Sequence, residues 1–564
     1  PERGMSEATD TGEAGISNRD VAKGAGTTLL ARLGGVLELL TQPLYGWLFG
    51  LASLGFYGAL WAAINLIENV ADLGMTSAMQ RVIPQARSPE EEASALRASF
   101  LLALVPCVII AGIISVMAAP VATLFNMSDA DSRHAVEAVR LFIWALPLWA
   151  FVEISTSALR SKRLFGAEIR LRLLWEQTVR LGLVLIFYVA GAGMMSLIYA
   201  HLLSLSIICV LCVRLLNRHF TLRLIFTRPV RDAMFVESLK AGLGVLPVNI
   251  TTRLFGDGPA LALNALIPGS NGAVAASLFI IARKVSSLVQ LVRTIFAYVL
   301  APLASAAASG GKDQVASIYG FSTRLSFALA VPMGAVLAAS GPAALPLFGP
   351  GAGAALTCLI VLVLARVTEA VVGAATPIQQ VTSGHLDQQL GSFAGLAVAG
   401  GIIWYFLPGG GLNAMAMAVG VGLVIAAVLP LFQLHVIDKL HPFSSPFGSV
   451  MGRTLAISVA GMALALLLQA LPPVVQRIGF VVLVIALYRV SWKLSAGLAL
   501  AGVAEVLTAR FFHDQSKHIL PYLLELTLLI PLLVGTLWAS LRFALPVQDR
   551  QALGAKTMKR FHLG

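Results

Sequence analysis

Long apolar segments alternate with short polar connectors along almost the whole chain. A bilayer core of about 30 Å is crossed by a helix of about 20 apolar residues, and such windows follow one another from Gly24 to Leu545. The pattern predicts 14 transmembrane helices, or 16 if a last pair also spans the membrane. They lie near residues 24–49, 57–80, 98–119, 135–159, 173–191, 194–216, 241–266, 273–302, 318–341, 354–378, 389–407, 413–436, 451–471 and 478–490, with the last pair near 494–509 and 519–543.

Composition narrows the class to a membrane protein. Of 564 residues, 57% are hydrophobic and only 12% are charged, and the mean hydropathy is +0.83. A soluble domain does not have this balance, so we predict an all-α polytopic membrane protein. The four cysteines all lie in apolar windows, which argues against a disulfide framework. Cys209 and Cys212 form a CxxC without a nearby His, which favours packing over a metal or redox site.

The distribution of Lys and Arg predicts the orientation, because cytoplasmic loops are enriched in both. With the N-terminus in the cytoplasm, the outside loops of the first 14 helices hold only Arg133 and Arg477. The basic C-terminal tail should then also be cytoplasmic. The formal charge of +12 is therefore a loop property and indicates no nucleic-acid partner.

The two halves of the chain align at an offset of 218 residues. Gly24 falls on Gly242, Pro84 on Pro302 and Gly166 on Gly384. An even number of helices per repeat gives both copies the same orientation, so we predict two parallel six-helix repeats around a central cavity. The predicted regions are a disordered tail (1–23), an N-lobe (24–217), a connector (218–235), a C-lobe (236–437), extra helices (450–545) and a basic tail (546–564).

Polar stripes on the apolar helices point to an interior cavity. Asn65, Glu68 and Asp72 share one helical face and map by the offset onto Arg283, Ser286 and Gln290. Acids inside a membrane helix usually face a bundle interior or a wet cavity. Further candidates are Glu38, Glu153, Arg253, Lys284, Arg293, Arg366 and Glu369. Arg366 with Glu369, and Glu176 with Arg180, have spacings at which the two charges can simply neutralise each other.

The candidate charges differ between the lobes. Acids come from the N-lobe, whereas most cations come from the C-lobe. A basic wall favours an anionic group such as phosphate, to which Arg adds bidentate hydrogen bonds. The acids could bind a proton or a metal cation, or they could pair with the arginines in one conformation and release them in another.

The sequence contains no Walker A, HExxH or G-x-S-x-G motif. We therefore expect no enzyme activity, no catalytic residue, no structural metal and no cofactor. Without an ATP site, we expect transport to be secondary, uniport or driven by a partner, and H⁺ and Na⁺ are the candidate coupling ions.

Three segments resemble a known family: Leu54-Gly-Phe-Tyr-Gly58, Ala71-Asp-Leu-Gly-Met75 and Arg81-Val-Ile-Pro84. Together with the two six-helix bundles they resemble the oligosaccharide flippases of the multidrug/oligosaccharidyl-lipid/polysaccharide exporter superfamily, over residues 24–490. The resemblance implies that a polyprenyl-pyrophosphate-linked oligosaccharide moves between leaflets by alternating access, with basic cavity residues receiving the pyrophosphate. Arg32 and Arg283 occupy helix positions similar to those of cavity arginines in the family.

These observations lead to one main hypothesis, a flippase for surface or exopolysaccharide synthesis in the bacterial inner membrane. The pyrophosphate would be held by Arg32, Arg253, Arg283, Lys284 and Arg293. Its partners would be a lipid-linked glycan and the bilayer, with a polysaccharide polymerase and glycosyltransferases nearby. The alternatives are a cation-coupled multidrug exporter of the same superfamily, which would use Glu38, Glu68 and Asp72 as its ion site, and a non-transporting scaffold of a glycan-assembly complex.

Overall fold

The computed structural model describes residues 35–553 except 163, 165–170, 172–174, 227–231, 309–311, 383–384, 444, 473, 477, 480–481 and 483–515, together with residue 558. These described residues are mostly helical and contain no β-strand. The α-helices are α1 Gly35–Ala71, α2 Met75–Val82, α3 Pro89–Val116, α4 Ala118–Ala122, α5 Ala135–Phe142, α6 Ala145–Ser161, α7 Glu176–Val189, α8 Met195–His219, α9 Ala233–Gly256, α10 Gly258–Leu266, α11 Ser270–Ala308, α12 Lys312–Ala339, α13 Gly341–Ala344, α14 Leu356–Val372, α15 Ala375–Thr382, α16 His385–Gln433, α17 Ser445–Ala470, α18 Ser516–Ala539 and α19 Val547–Ala552.

Within the described residues, 11 helical segments are long and apolar enough to cross a bilayer. The prediction of an all-α polytopic membrane protein is therefore confirmed. The predicted helix at 494–509, and all but three residues of the one at 478–490, lie outside the described residues. The total of 14 or 16 spans stays a prediction, as does the repeat at an offset of 218.

Two predicted connections between helices contain a break at a glycine. In α1 the break is at Gly50, where φ is 78°, within the predicted gap at 50–56. In α16 it is at Gly411, within the predicted loop Pro408–Leu412, and the chain turns back there, since a Cβ at Gly395 would lie 2.3 Å from the carbonyl oxygen of Gly422. Conversely, the predicted helix 57–80 is interrupted at 72–74, where Gly74 has φ 75°. Glycine reaches these positive φ values without a steric penalty.

The contacts between the N-terminal half (35–226) and the C-terminal half (232–443) include two zones at opposite ends of the α1–α2 unit. In one, which we call the Asn126 end, Asn126 and Asn264 exchange three hydrogen bonds of 2.7–3.0 Å. Asn126 Oδ1 also accepts from the backbone N–H of Gly269 at 2.9 Å. Helix α1 packs closely on α11 here, since a Cβ at Gly55 would lie 1.7 Å from the carbonyl oxygen of Ala273. Small residues at such positions are how membrane helices approach closely.

The second zone, which we call the Gly74 end, lies at the other end of the α1–α2 unit. A Cβ at Gly74 would meet the carbonyl oxygen of Gly242 at 2.3 Å. Nearby, Asn249 Nδ2 donates to Ser77 Oγ at 3.2 Å. Residues 58–65 of α1 lie between the two zones.

The C-terminal helices pack on the side of the C-terminal half, with α17 and α18 against α12. The described part of the predicted basic tail is held to this bundle. In α19, Asp549 accepts two hydrogen bonds from Arg324 at 2.6 and 2.8 Å.

Candidate functional site

A cavity of about 540 Å³ lies between the two halves, beside the middle of α1. Six cationic side chains line it, against two carboxylates. The cations are Arg180, Arg253, Arg283, Lys284, Arg293 and Arg366, and the carboxylates are Asp257 and Glu369. The cavity wall therefore has a clear excess of positive charge.

Helix α11 supplies the central part of this basic wall. Arg283, Ser287 and Gln290 recur at the spacing of one helical face, and Lys284 and Arg293 lie at its margins. All five line the cavity. Of the predicted stripe Arg283, Ser286 and Gln290, only Ser286 does not line it, because its side chain is buried and donates to the carbonyl oxygen of Arg283. The helix places three cations within three turns of one another.

Each cavity carboxylate is shared between two arginines. Glu369 accepts from Arg366 Nη1 at 2.6 Å and pairs with Arg293 through its other oxygen. Asp257, at the break between α9 and α10, lies 3.2 Å from Arg283 Nη1 and 3.8 Å from Arg253 Nη1. Buried charges need partners, and a carboxylate shared between two arginines orients both guanidinium groups; only at Glu369 do two arginines have a single carboxylate between them, since Arg253 also pairs with Glu153.

The arginines differ in how accessible they are. The side chains of Arg253 and Arg293 are 34% and 33% exposed, whereas that of Arg366 is 10% exposed. Arg253 and Arg293 can thus reach a ligand in the cavity, while Arg366 positions Glu369. Arg283 is intermediate and also donates to the carbonyl oxygen of Gly256.

The N-terminal half contributes Arg180 to the same cavity, together with Tyr57 and Trp61. Arg180 pairs with Glu176 at 2.7 Å, as its spacing predicts, and its other nitrogen lies 3.3 Å from Nε2 of His201. The hydroxyl of Tyr57 lies 2.7 Å from Nδ1 of the same histidine. We did not predict a cavity position for Arg180, because the local pair already explained its charge.

The acids predicted on the N-terminal half lie elsewhere. Glu68, Asp72 and Glu153 line a separate cavity of about 180 Å³, together with Asn69, Asn249 and Arg253. The prediction that these acids and the C-lobe cations line one central cavity therefore needs correction. The two cavities share Thr252 and Arg253, and Arg253 Nη2 lies 3.9 Å from Glu153 Oε1.

Asp72 has a structural task at the break after α1. Its two carboxylate oxygens accept the backbone N–H groups of Gly74 and Thr76 at 2.7 and 3.1 Å. This cap satisfies donors at the start of α2 that have no partner within the helix. Among the described residues, no group of three or more His, Cys, Asp or Glu has the geometry of a metal site.

Two predicted site residues cannot be placed with the others. Arg32 lies outside the described residues, and Glu38 lies in α1 but its side chain is not described. Their roles stay predictions, as do the functional roles of the other candidate residues.

The sequence between residues 48 and 349 matches the model of a family described as polysaccharide biosynthesis protein. The chain belongs to this family. The predicted resemblance to the oligosaccharide flippases is therefore confirmed at the level of the family. Comparison with curated proteins finds no match.

Solved structures place this polysaccharide biosynthesis protein in the fold of the MOP superfamily. A lipid II flippase MurJ in an inward closed conformation is 12% identical, with a TM-score of 0.59 over 77% of this chain and 92% of MurJ. A MATE transporter bound to MaL6 is 18% identical, with a TM-score of 0.57 over 75% and 98%. A MOP superfamily transporter from Pyrococcus furiosus, described as having a binding pocket of reverse polarity that suggests a different function, is 17% identical with a TM-score of 0.54 over 74% and 97%.

The segments that carried the resemblance have identifiable roles in this family member. Gly55 and Gly58 bring α1 against α11, and Tyr57 between them lines the cavity. Ala71–Met75 forms the capped break between α1 and α2. Pro84 lies in the short 3₁₀ turn that follows α2.

Proposed function

We propose that this protein is a flippase that moves a polyprenyl-pyrophosphate-linked oligosaccharide across the inner membrane by alternating access, for surface or exopolysaccharide synthesis. The observation that carries the proposal is the cavity wall of six cations against two carboxylates. Guanidinium groups that are oriented by a shared carboxylate retain free N–H donors suited to a diphosphate. Arg253, Arg283, Lys284 and Arg293 would bind the pyrophosphate, with Arg32 as a further predicted ligand.

The size of the cavity fits a headgroup and excludes a whole lipid. Its volume of about 540 Å³ falls within the range of small-molecule sites, which is about 300–1,000 Å³. The pyrophosphate and the first sugar can enter, while the polyprenyl chain stays in the bilayer at the side of the two halves. The contact zones at the Asn126 and Gly74 ends would open alternately around the bound headgroup.

Family membership supports the glycan assignment, and one neighbour is named as a lipid II flippase. The Lys and Arg distribution supports an orientation with both termini in the cytoplasm. Glycosyltransferases would act before the transfer, and a polymerase would act after it. A basic wall fits organic cations poorly, which argues against the drug-exporter alternative.

The test is glycan export in cells that lack the native protein and carry a variant. Arg283→Ala combined with Arg293→Ala should accumulate lipid-linked oligosaccharide in the cytoplasmic leaflet and reduce surface glycan at least tenfold. Arg283→Lys keeps the charge but loses bidentate hydrogen bonding, so it should lie in between.

Arg133→Ala is the matched control, because Arg133 is exposed and remote from the cavity. Normal surface glycan from the double variant, expressed at the wild-type level, would overturn the flippase assignment. Cation-dependent drug efflux without any glycan defect would instead support the exporter.

A further inference from the structure

The part of the cavity wall that α1 supplies differs in chemistry from the part that carries the C-terminal arginines. Helix α1 presents Tyr57, Trp61 and Asn65 at intervals of four residues, so the three side chains lie on one helical face. Gln42, from the part of α1 before the Gly50 break, lines the cavity with them. This surface is aromatic and amide-rich, whereas the surface that α11 supplies is cationic.

Trp61 is fixed in position by other rings. Its ring centroid lies 4.3 Å from that of His201, 5.3 Å from Trp149 in an edge-on arrangement, and 6.1 Å from Phe142. Tyr57 is fixed by its hydrogen bond to His201. The half-buried Trp61 therefore adds a rigid aromatic surface to the cavity, with little rotamer entropy left to lose when a ligand binds.

Asn65 gives an independent indication of a ligand. The residue is 5% exposed and lines the cavity, and its side-chain oxygen Oδ1 has no hydrogen-bond partner. A buried acceptor left without a donor costs about 1–3 kcal/mol. A hydroxyl donor bound in the cavity would remove that cost.

We propose that the first sugar of the lipid-linked oligosaccharide binds to this α1 surface, which we call the sugar subsite (Gln42, Tyr57, Trp61 and Asn65). The apolar C–H face of a pyranose ring would stack on Trp61 while a ring hydroxyl donates to Asn65 Oδ1. The pyrophosphate would lie on the cations of α11. This inference rests on the proposed function and adds an orientation: sugar on the N-terminal half, pyrophosphate on the C-terminal half.

The orientation gives the substrate a role in the transport cycle. One headgroup would contact both halves at once, so the closed arrangement would be favoured only when both sugar and pyrophosphate are present. A polyprenyl pyrophosphate without sugar would contact only the cations of α11, so it would be a poorer substrate.

The experiment compares two ligands on the purified full-length protein in nanodiscs. One is polyprenyl pyrophosphate and the other is the same lipid carrying one N-acetylhexosamine. The wild type should bind the glycosylated lipid about tenfold more tightly. Trp61→Leu should abolish this preference and leave the affinity for the bare lipid unchanged, whereas Trp61→Phe should retain part of it.

Asn65→Leu provides a readout that a purely structural role would not give. It removes the unpartnered oxygen with a side chain of similar size, so the melting temperature should stay the same or rise while the sugar preference falls. A sugar preference unchanged in both Trp61→Leu and Asn65→Leu would overturn the sugar subsite.

Arg283→Ala separates this inference from the proposed function. It should weaken binding of both lipids by a similar factor and leave the sugar preference in place. If the wild type binds neither lipid, the proposed function itself fails. If it binds both equally, the flippase assignment stands and only the sugar subsite is wrong.

Discussion

Glu369 lies between a buried arginine and an accessible one, and its charge holds both. Removing one partner of a buried pair typically costs about 3–5 kcal/mol, because the remaining charge is left without compensation. Glu369→Gln should therefore lower the melting temperature markedly in detergent. The double variant Glu369→Gln with Arg366→Met should recover part of the loss. An unchanged melting temperature in the single variant would show that Arg366 finds another partner.

Single-residue chemistry was predictable from the sequence where partners are close in the chain. The pairs Arg366–Glu369 and Glu176–Arg180 form as their spacing predicts. The contacts of Arg293 with Glu369 and of Arg283 with Asp257 were not predictable, since they depend on how separate helices pack. The cavity position of Trp61 was missed because an aromatic residue on an apolar helix gives no signal of its own.

Asp72 is the residue whose role changes most between sequence and structure. As a cap on α2, it should cost about 0.5–2 kcal/mol of stability when replaced by Ala. Asp72→Asn keeps a side-chain acceptor, so it should retain most of the stability and also most of the glycan export. Both readouts should be taken from the same preparations. Loss of export in Asp72→Asn at unchanged stability would instead assign Asp72 to ion coupling.

At the scale of elements, the entry into α9 is fixed by one acidic residue. Asp232 caps α9 through the Phe235 N–H at 2.9 Å and pairs with Arg97 of α3 at 3.0 Å. Partial burial raises the pKa of Asp232, but hydrogen bonds from Ser94 and the Phe235 N–H, together with the charge of Arg97, hold the pKa below its usual value. The charged form is therefore favoured in the folded protein.

A carboxyl whose pKa is lowered by folding contributes stability above its unfolded pKa, and loses it as the pH falls through the folded pKa. The unfolded pKa of Asp is about 3.9. The melting temperature of the wild type should therefore fall as the pH drops below about 4, and Asp232→Asn should show a smaller drop. Asp129→Asn is the control, because Asp129 is exposed and its side chain makes none of the contacts described for Asp232. Parallel pH profiles for wild type and Asp232→Asn would contradict the assignment.

The helices could be predicted from the hydrophobic runs, because a run that crosses a bilayer must satisfy its backbone hydrogen bonds internally. The breaks at Gly50 and Gly411 lie in predicted gaps between such runs, but the break at Gly74 lies inside a predicted helix. Many other glycines continue a helix, and only the packed chain shows that Gly74 adopts positive φ. The offset of 218 illustrates the limit: Gly50 would map onto Pro268, and the positive φ occurs next to it, at Gly269.

For the whole molecule, the two contact zones are the parts that alternating access must break in turn. The Asn126 end is held by four hydrogen bonds between the halves, three of them from the Asn126–Asn264 pair. Each of these hydrogen bonds contributes about 0.5–1.5 kcal/mol net to the free energy of closing this end. Asn264→Ala removes the two bonds made by its side chain, so it should shift the population toward opening at this end by about tenfold or more.

Distances between spin labels at Leu124 and Leu266, which are exposed near this pair, measure that opening after replacement of the native cysteines. Asn264→Ala should lengthen the distance in a larger fraction of molecules. Asn249→Ala is the matched control, since it removes a contact at the Gly74 end and should favour the opposite opening. If both variants gave the wild-type distribution, the halves would be held mainly by the glycine contacts between helices. Gly55→Ala, which forces α1 away from Ala273, would then be the variant that opens the Asn126 end.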